Sequence, residues 1–400
     1  MNSVYNNHSD RLCIIVLGYI LRMPLGGLAW HYLQYVMGLV RLGHEVYYIE
    51  DSCFFEEDEY GWFYDPIRDV MDPVPGYGLK FTAKIFDWVG LGNCWGYYNL
   101  QESCWKGPCA DRIHEVFARA ELLLNVSGAN PLRSCLMQIP VRVFIDTDPV
   151  FTQTRILANS TRRNLALQHT VFFSFGENIN SPRSSIPDDG IPWQTTRQPI
   201  ALEAWPVIPG SPSGKFTTVM AWKSYKSGEQ YKGIRYGMKA ESFIDYMNLP
   251  DINGQQIELA LFKSIAPREK LLEKGWIVRD GEMLTKDPWS YQHYLQQSKA
   301  EFSVAKQGYV VTNSGWFSER SACYLASGRP VVVQDTGFSK WLKTGAGVIA
   351  FSNLDEALAG IEKINSRYEF HCKAARAIAE KYFDSNKVLS HLIQLSMETV

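Results

Sequence analysis

The fold is decided by the stretch Thr312-Asn-Ser-Gly-Trp-Phe-Ser-Glu-Arg-Ser-Ala-Cys-Tyr-Leu-Ala-Ser-Gly-Arg-Pro-Val-Val-Val-Gln-Asp-Thr-Gly337. A short polar loop comes first, Ser318 predicts the N-cap of a helix, and Gly328 predicts the end of that helix. A run of three valines then indicates a buried strand, and a second polar loop follows it. A loop that opens into a helix presents free backbone N–H groups at the positive end of the helix dipole. The stretch therefore predicts a helix–strand unit of an α/β fold with a site that suits a diphosphate.

The same alternation of strands and helices occurs in both halves of the chain. Near the start, an apolar strand over 12–17 precedes a helix over 28–42 and a strand over 45–49, which together predict a parallel sheet. A proline-rich segment over 179–212 interrupts the pattern, and the alternation then resumes with a strand over 216–221. We therefore expect two α/β domains, 1–200 and 213–383, which face each other across a cleft, with a C-terminal helix over 384–400 that packs back on the first.

Charge and hydropathy exclude several classes of protein. The 400 residues contain 40 Lys and Arg against 42 Asp and Glu, and a net charge of −2 lacks the electrostatic footprint of a general nucleic-acid binder. We therefore expect no nucleic-acid partner, and any anionic ligand must be held by a local site. The residues before Arg11 lack the basic start and apolar centre of a secretory signal, and the apolar run over 12–21 is too short to span a bilayer. These features predict a cytoplasmic protein with no transmembrane segment.

The eight cysteines suggest neither a disulfide framework nor a clear metal site. Cys94, Cys104, Cys109 and His114 lie close together in the sequence and could complete a tetrahedral zinc site. Their spacing matches no structural zinc signature, and no Cys-x-x-Cys pair occurs. We therefore favour ordinary thiols over a metal site and predict that no metal is bound.

An aromatic stretch over 51–108 departs from the βα alternation and contains several Trp, Tyr and Phe residues. We interpret it as an insertion in the first domain. Three functions are open for it: a platform or lid on which sugar rings or an apolar acceptor stack, a small satellite core, or the surface of a homodimer.

Motifs in both halves resemble those of one enzyme superfamily. Gly328-Arg-Pro-Val331 resembles the end of the donor-binding signature of GT-B glycosyltransferases. Near the N-terminus, Gly26-Gly27-x-x-x-His31 and Gly43-His44-Glu45-Val46 are similar to a pattern of the family 4-like members of that superfamily. The resemblance implies two Rossmann-like domains across a cleft, with the acceptor bound by the first and a nucleotide-sugar by the second.

The chain also departs from the family 4 pattern. That family has two glutamates in the donor signature, with seven residues between them. The corresponding positions here are Gly315 and Cys323. Glu319 lies one helical turn before the second position and could accept hydrogen bonds from a ribose diol. The run Gly315-Trp-x-Ser318 resembles instead the diphosphate loop of family 1, whose members invert the anomeric centre. Retention and inversion therefore both stay open.

The resemblance implies a set of donor-binding residues in or near the second domain. Basic groups must stabilise the leaving diphosphate, because the protein has no large net positive charge. Lysines after the first strand of the second domain are the first candidates, and each of them could instead be ordinary solvated surface. The residues predicted to bind the donor are Gly27, Lys223, Lys232, Lys306, Ser314, Gly315, Trp316, Ser318, Arg320, Asp335, Thr336 and Gly337, with Lys226 as a further candidate.

Four residues are candidates for catalysis: His31, Asp146, Asp148 and Glu319. His31 suits a general base at the cleft edge of the first helix, and its alternative is a packing residue. The two aspartates follow a buried strand and could contact acceptor hydroxyls, and their alternative is the capping of a turn or helix. They also spell the Asp-x-Asp of metal-dependent GT-A transferases, but the donor motif lies in the other half of the chain. Glu177 and Asn178, at another strand end, are weaker candidates on the acceptor side.

The leading hypothesis is a GT-B glycosyltransferase of the hexosyltransferase type. It would move a sugar from a nucleoside diphosphate to a small molecule, a glycan or a lipid-linked acceptor, with no metal and no cofactor besides the donor. Two alternatives share the architecture: a sugar-nucleotide epimerase, which acts without an acceptor, and a non-catalytic carbohydrate-binding protein.

Overall fold

The computed structural model describes residues 11–53, 62–223, 228–262 and 266–399. Its strands are β1 (Cys13–Leu17), β2 (Glu45–Asp51), β3 (Phe63–Asp65), β4 (Val70–Asp72), β5 (Trp95–Asn99), β6 (Cys104–Lys106), β7 (Leu122–Val126), β8 (Val141–Asp146), β9 (Val171–Ser174), β10 (Gln194–Thr195), β11 (Phe216–Met220), β12 (Glu229–Tyr231), β13 (Ile234–Tyr236), β14 (Ile257–Leu261), β15 (Ile277–Asp280), β16 (Ala300–Ser303), β17 (Val331–Gln334) and β18 (Val348–Phe351).

Helices follow most of these strands. They are α1 (Gly26–Arg41), α2 (Gly76–Trp88), α3 (Ile113–Arg119), α4 (Phe151–Ala158), α5 (Ser160–Ala166), α6 (Lys239–Phe243), α7 (Leu249–Asn253), α8 (Arg268–Glu273), α9 (Gly281–Leu284), α10 (Pro288–Gln297), α11 (Gln307–Val311), α12 (Glu319–Ala326), α13 (Leu354–Ser366), α14 (Tyr368–Tyr382) and α15 (Ser385–Glu398). No helix among the described residues combines the length and the apolar character needed to cross a bilayer.

Two main sheets form the centre of the molecule. The first has the order β10-β9-β8-β7-β1-β2-β5-β6, and the second has the order β15-β14-β11-β16-β17-β18. In the first sheet only β5 and β6 pair antiparallel, and in the second sheet every described pair is parallel. Each sheet contains the doubly wound order 3-2-1-4-5-6, in which β1 or β11 lies at the centre. The prediction of two Rossmann-like βαβ domains is confirmed.

The central strands are buried along their whole length because helices cover both faces of each sheet. All five residues of β1 are buried, and so are all five of β11. The helix and strand signals of the sequence correspond closely to the structure in this part of the fold. In particular, the predicted helix over 319–326 is α12, with Ser318 as its N-cap and a left-handed Gly328 after its end.

The aromatic stretch over 51–108 is not the separate insertion that the sequence analysis expected. Helix α2 connects β2 to β5, and β5 pairs parallel with β2, so this stretch supplies a regular βαβ crossover of the first sheet. Phe86 and Trp95 belong to the main core because α2 packs on the sheet, whereas Trp62 and Trp88 are exposed. The structure thus uses part of the aromatic content for the core, and residues 54–61 lie outside the described residues.

The chain passes from the first sheet to the second between Thr195 and Phe216. After the second sheet, it returns to the first domain, where Ile200 N–H donates to the Phe383 carbonyl at 2.6 Å. Helix α15 then packs against α1, so close that a methyl group on Gly38 would lie 2.6 Å from Leu389 Cδ1. The two domains therefore share a continuous apolar core beside the cleft.

Candidate functional site

Two lysines lie at the point where the strand order of the second sheet reverses. Strand β11 pairs with both β14 and β16, so the connections that leave β11 and β16 diverge to opposite sides of the sheet. In open α/β sheets a crevice forms at this switch point, outside the carboxyl ends of the strands. Lys239 begins α6, the first helix after β11, and Lys306 follows β16.

Lys239 is a buried cation without a salt-bridge partner in the described part of the chain. Its side chain is 9% exposed, and no hydrogen bond to it is present among the described residues. Burial, together with the positive charges of Arg320 and Lys306, holds the pKa of Lys239 well below its ordinary value, although Glu301 and Glu319 oppose the shift. A desolvated ammonium group gains most from an anion that enters the crevice.

Lys306 links the two domains. Its Nζ lies 2.8 Å from Asp148 Oδ1 and 3.0 Å from Asp148 Oδ2, and Tyr309 also donates its hydroxyl to this carboxylate. The ion pair is largely buried, with exposed fractions of 12% for Lys306 and 17% for Asp148. Asp148 therefore contacts the second domain in this conformation, and its contact with acceptor hydroxyls stays a prediction.

Arg320 is committed to the second domain. Its Nε donates to Glu301 at 2.7 Å, its Nη1 to the Val219 carbonyl at 2.8 Å and its Nη2 to Ser303 Oγ at 2.7 Å. These bonds tie the first turn of α12 to β11 and β16. The predicted donor contact of Arg320 would have to compete with three protein acceptors, so the structure assigns this residue first to positioning α12.

The first turn of α12 keeps backbone donors available at the crevice. Ser318 Oγ accepts from Arg320 N–H at 3.2 Å, as an N-cap does, while the N–H groups of Ser318 and Glu319 have no acceptor among the described residues. Trp316, Phe317 and Ser318 line a crevice of about 260 Å³ with the ends of β16 and β17. This arrangement has the free backbone donors that the loop-to-helix pattern predicts, and the binding of an anion there stays a prediction.

His31 and Glu319 come together from opposite domains. Both line one crevice between α1 and α12, to which Gly27, Tyr291 and Cys323 also contribute. Gly27 has a tight neighbour there, since a methyl group on it would lie 3.0 Å from Tyr291 Cε2. These residues belong to separate motifs of the sequence, and the fold brings them to the same crevice between the two domains.

His31 is held as a neutral imidazole. Its Nε2 lies 3.4 Å from Ser127 Oγ, and Ser127 Oγ lies 2.8 Å from Thr147 Oγ1. Burial lowers the pKa of His31, and the charge of Glu319 opposes the shift. A neutral imidazole beside a carboxylate can accept a proton from a hydroxyl group, because the carboxylate stabilises the imidazolium that forms.

Asp146 is enclosed at the end of β8. Its carboxylate is 0% exposed and accepts hydrogen bonds from Asp148 N–H, Thr152 Oγ1, Gln153 Nε2 and Ser174 Oγ at 2.6–3.0 Å. Burial raises the pKa of Asp146, and the four hydrogen bonds only partly oppose this rise. The predicted contact between Asp146 and a hydroxyl group of an acceptor substrate does not form in this geometry. The carboxylate is fully buried, and protein donors surround it. The structure favours the capping alternative.

The loops at 314–316 and 335–337 brace each other and are held by Asn178 from the first domain. Asn178 Nδ2 donates to the carbonyls of Asn313 at 3.0 Å and Gly337 at 3.1 Å, and its N–H donates to the Ser314 carbonyl at 3.0 Å. Within the second domain, Gly315 N–H donates to Thr336 O at 2.8 Å. The predicted loop residues thus form one unit, whose remaining members are Trp316, stacked on Tyr309, and Asp335, which caps the turn through Gly337 N–H.

Two of the other predicted lysines lie at exposed positions of the second domain. Lys223 is exposed, and Lys232 is exposed in the turn between β12 and β13, where its Nζ lies 5.3 Å from the centre of the Tyr231 ring. Lys226 lies outside the described residues. For Lys223 and Lys232, the structure favours the alternative of an ordinary solvated surface lysine.

Sequence reasoning missed Lys239 and underrated Asn178. One signal pointed to Lys239: a lysine in the first turn of a predicted helix opposes the helix dipole, which is unfavourable unless an anion is bound nearby. Asn178 carries no such signal, since its partners are carbonyl groups more than a hundred residues away. Ser127 was missed as well, because only the tertiary fold brings it to His31.

No group of three or more His, Cys, Asp or Glu side chains is placed to hold a metal ion within the described ranges. Cys94 and Cys109 lie near each other, and burial raises the pKa of both thiols, that of Cys109 to about 11. A protonated thiol is a poor metal ligand, and the absence of a bound metal stays a prediction.

Solved structures resemble the whole chain, although its sequence matches no known family and no curated protein. An alpha-glucosyltransferase (AGT) in complex with UDP superposes with a TM-score of 0.57 at 10% identity, over 96% of this chain and 99% of that one. Anabaena Alr3699/HepE in complex with UDP-glucose gives 0.56 at 12% identity, over 96% and 99%. AviGT4, a glycosyltransferase involved in avilamycin A biosynthesis, gives 0.51 at 12% identity, over 96% of each chain.

These similarities extend over both domains and concern the fold, since the identities are low. The alpha-glucosyltransferase has also been solved with UDP and DNA, so the absence of a nucleic-acid partner stays a prediction from net charge. Two doubly wound sheets, the shared core beside the cleft and these superpositions lead to the same conclusion: the chain has the GT-B fold.

Proposed function

We propose that this protein is a glycosyltransferase that moves a hexose from a nucleoside diphosphate to an acceptor. One observation carries the proposal, and it concerns the first turn of α12. The free N–H groups there border one crevice, and Glu319 of the same turn lines a second crevice with His31 of the other domain. The buried Lys239 lies close enough to Glu319 and Arg320 for their charges to act on its pKa. Cations and backbone donors of this kind stabilise a leaving diphosphate, and a neutral histidine across the cleft suits an acceptor hydroxyl. The neighbours that contain UDP or UDP-glucose support the choice of donor.

The chemistry assigned to the crevice is a substitution at the anomeric carbon. The acceptor oxygen forms a bond to that carbon, and the bond from the carbon to the diphosphate oxygen breaks. The nucleoside diphosphate leaves with the electron pair, and the hydroxyl proton passes to His31. Glu319 stabilises the imidazolium or contacts the donor ribose, Lys239 and Lys306 neutralise the diphosphate, and no metal takes part.

Calorimetric titration with UDP-, GDP- and dTDP-sugars tests the donor site. We expect one of these nucleotides to bind, and binding to survive EDTA, because lysines supply the charge that a divalent ion would otherwise supply. Folded protein that binds none of the three would contradict the proposal.

The competing epimerase requires a separate experiment. Incubation with the bound donor alone, followed by NMR of the sugar, should show no isomerisation, since an acceptor is needed for turnover. An isomerised donor would favour the epimerase. A bound donor that is neither transferred to any acceptor nor hydrolysed would favour a non-catalytic carbohydrate-binding protein.

A further inference from the structure

A second cavity lies in the first domain, outside the crevice described above. It occupies about 640 Å³ between the loop after β7 and helices α4 and α5. Its walls are largely apolar and include Leu132, Phe144, Ile156 and Leu165. A depression with an apolar wall and convergent polar groups is the usual form of a small-molecule site.

The charges that line this cavity are all positive. Arg155 of α4 and Arg162 of α5 contribute guanidinium groups, and no Asp or Glu is among the lining residues. Arg155 Nε also donates to Glu229 of β12 at 2.7 Å, so this side of the cavity is attached to the second domain. Two guanidinium groups beside an apolar wall favour an occupant with a carboxylate or phosphate group.

The floor of the cavity is polar but uncharged. His169 Nδ1 lies 2.9 Å from the Ala166 carbonyl and therefore carries the hydrogen, and Nε2 accepts from Asn125 Nδ2 at 3.1 Å. Burial lowers the pKa of His169 to about 4, so the ring stays neutral. Among the described residues, the arginines are therefore the only charged groups that line the cavity at neutral pH.

Ser127 connects the cavity to the catalytic crevice. It lines the cavity, and its Oγ lies 3.4 Å from His31 Nε2. Its φ angle of 65° lies in the left-handed region, which is strained for a residue other than glycine. Such strain persists where the surroundings hold a residue in a required place, and here it places the hydroxyl between the cavity and His31.

We propose that this cavity binds the acceptor, and that the acceptor is an anionic, hydroxylated molecule with an apolar body. The body lies against Phe144 and Ile156, the carboxylate or phosphate contacts Arg155 and Arg162, and the hydroxyl is directed to Ser127. The role as acceptor rests on the function proposed above, whereas the binding of the anion does not.

Methyl-labelled protein without nucleotide provides the test. 4-Hydroxybenzoate and 4-hydroxyphenyl phosphate represent the two sources of negative charge, and 4-hydroxybenzamide is the uncharged counterpart. We expect at least one anion to shift the methyl signals of Ile156 and Leu165, and to bind about tenfold more tightly than the amide, as loss of one charge-assisted hydrogen bond predicts. Arg162→Met should weaken the binding of the anion by a similar factor. Arg163→Met, the same change on the same helix, should not, because that guanidinium contacts the Asp189 carbonyl instead.

Equal affinity of anions and amide for the wild-type protein would overturn the proposal, and that comparison needs no variant. Methyl shifts confined to other parts of the protein, no shift with either anion, or unchanged binding by Arg162→Met would overturn it as well. If the anion shifts these methyl signals but no nucleotide binds, the proposed anion site is supported and the proposed glycosyltransferase function is refuted. Nucleotide binding without anion binding would refute the anion site in the cavity and leave the glycosyltransferase proposal standing.

Discussion

At the scale of single residues, the burial of Lys239 lowers the stability of the folded protein, and we expect it to favour the binding of an anion. Its pKa is lower in the folded protein than in the unfolded chain, so the unfolded state holds the proton more tightly. The lysine therefore costs stability at every pH below its ordinary pKa, and the cost disappears only when both states are deprotonated. Residues that reduce stability in the empty protein are common where a charged ligand binds.

Replacement of Lys239 by methionine should therefore have two opposite effects. We expect Lys239→Met to raise the melting temperature of the empty protein by about 2–4 °C, which corresponds to roughly 1 kcal/mol. The same change should weaken nucleotide binding by about tenfold or more, through the loss of a charge-assisted hydrogen bond. Calorimetry measures both quantities. Lys232→Met, at an exposed turn, should change neither, and a Lys239→Met protein with undiminished nucleotide affinity would remove this lysine from the site.

His31 and Glu319 make a prediction about pH. If His31 accepts the proton, activity is lost as the pH falls through its pKa, which burial places below the ordinary value. Since the carboxylate of Glu319 raises that pKa, Glu319→Gln should move the acidic limb of log kcat/KM to lower pH. The surface change Asp188→Asn should leave the limb in place. An acidic limb that does not move in Glu319→Gln, or that persists in His31→Ala, would exclude His31 as the base.

At the scale of elements, one side chain attaches the segment after β9 to both loops of the second domain, 314–316 and 335–337. Asn178 fits between them so closely that a methyl group on Gly337 would lie 2.6 Å from Asn178 Nδ2, and one on Gly315 would lie 2.8 Å from its Cγ. Both glycines have positive φ angles, of 76° for Gly315 and 93° for Gly337. The loops are therefore shaped by glycine and held by the opposite domain.

Asn178→Ala should disturb donor binding without unfolding the protein. It removes two hydrogen bonds, to Asn313 O and Gly337 O, worth about 1 kcal/mol each. We expect the KM for the donor to rise about tenfold while kcat changes less, because the loops lose their preferred arrangement. Asn180→Ala serves as the matched control, since Asn180 donates to Trp193 O within the first domain. If both variants have the same donor KM, Asn178 has no positioning role.

At the scale of the whole molecule, the buried Asp148–Lys306 pair couples the two domains. Removal of one partner from a buried ion pair leaves an uncompensated charge and costs roughly 3–5 kcal/mol, whereas an exposed pair contributes about 0–1 kcal/mol. The Arg41–Glu203 pair offers the contrast, since its side chains are 49% and 41% exposed.

Asp148→Asn should therefore lower the melting temperature by several degrees and separate the unfolding of the two domains into two calorimetric transitions. Glu203→Gln should leave a single transition close to that of the wild type. If Asp148→Asn unfolds like Glu203→Gln, the pair does not join the domains in solution.

The sequence predicted the elements better than the site. Continuous apolar runs such as β1, and helix signals such as Ser318 and Gly328, act over a few residues and are readable from local chemistry. The stretch over 51–108 was misinterpreted because its aromatic residues obscured the crossover helix α2. Of the candidate residues, Asp146 and Asp148 were correctly placed at a strand end, but their partners Ser174 and Lys306 lie far along the chain.

The sequence by itself determined two βαβ domains and the loop-to-helix unit after Thr312, because each depends on local periodicity, caps and backbone freedom. Only the tertiary structure decided which side chains form the site. It buried Lys239 beside Glu301 and Glu319, enclosed Asp146 with four donors, and joined His31 to Glu319 across the cleft. The physical reason is that desolvation and charge coupling depend on distances between segments hundreds of residues apart, which no local pattern encodes.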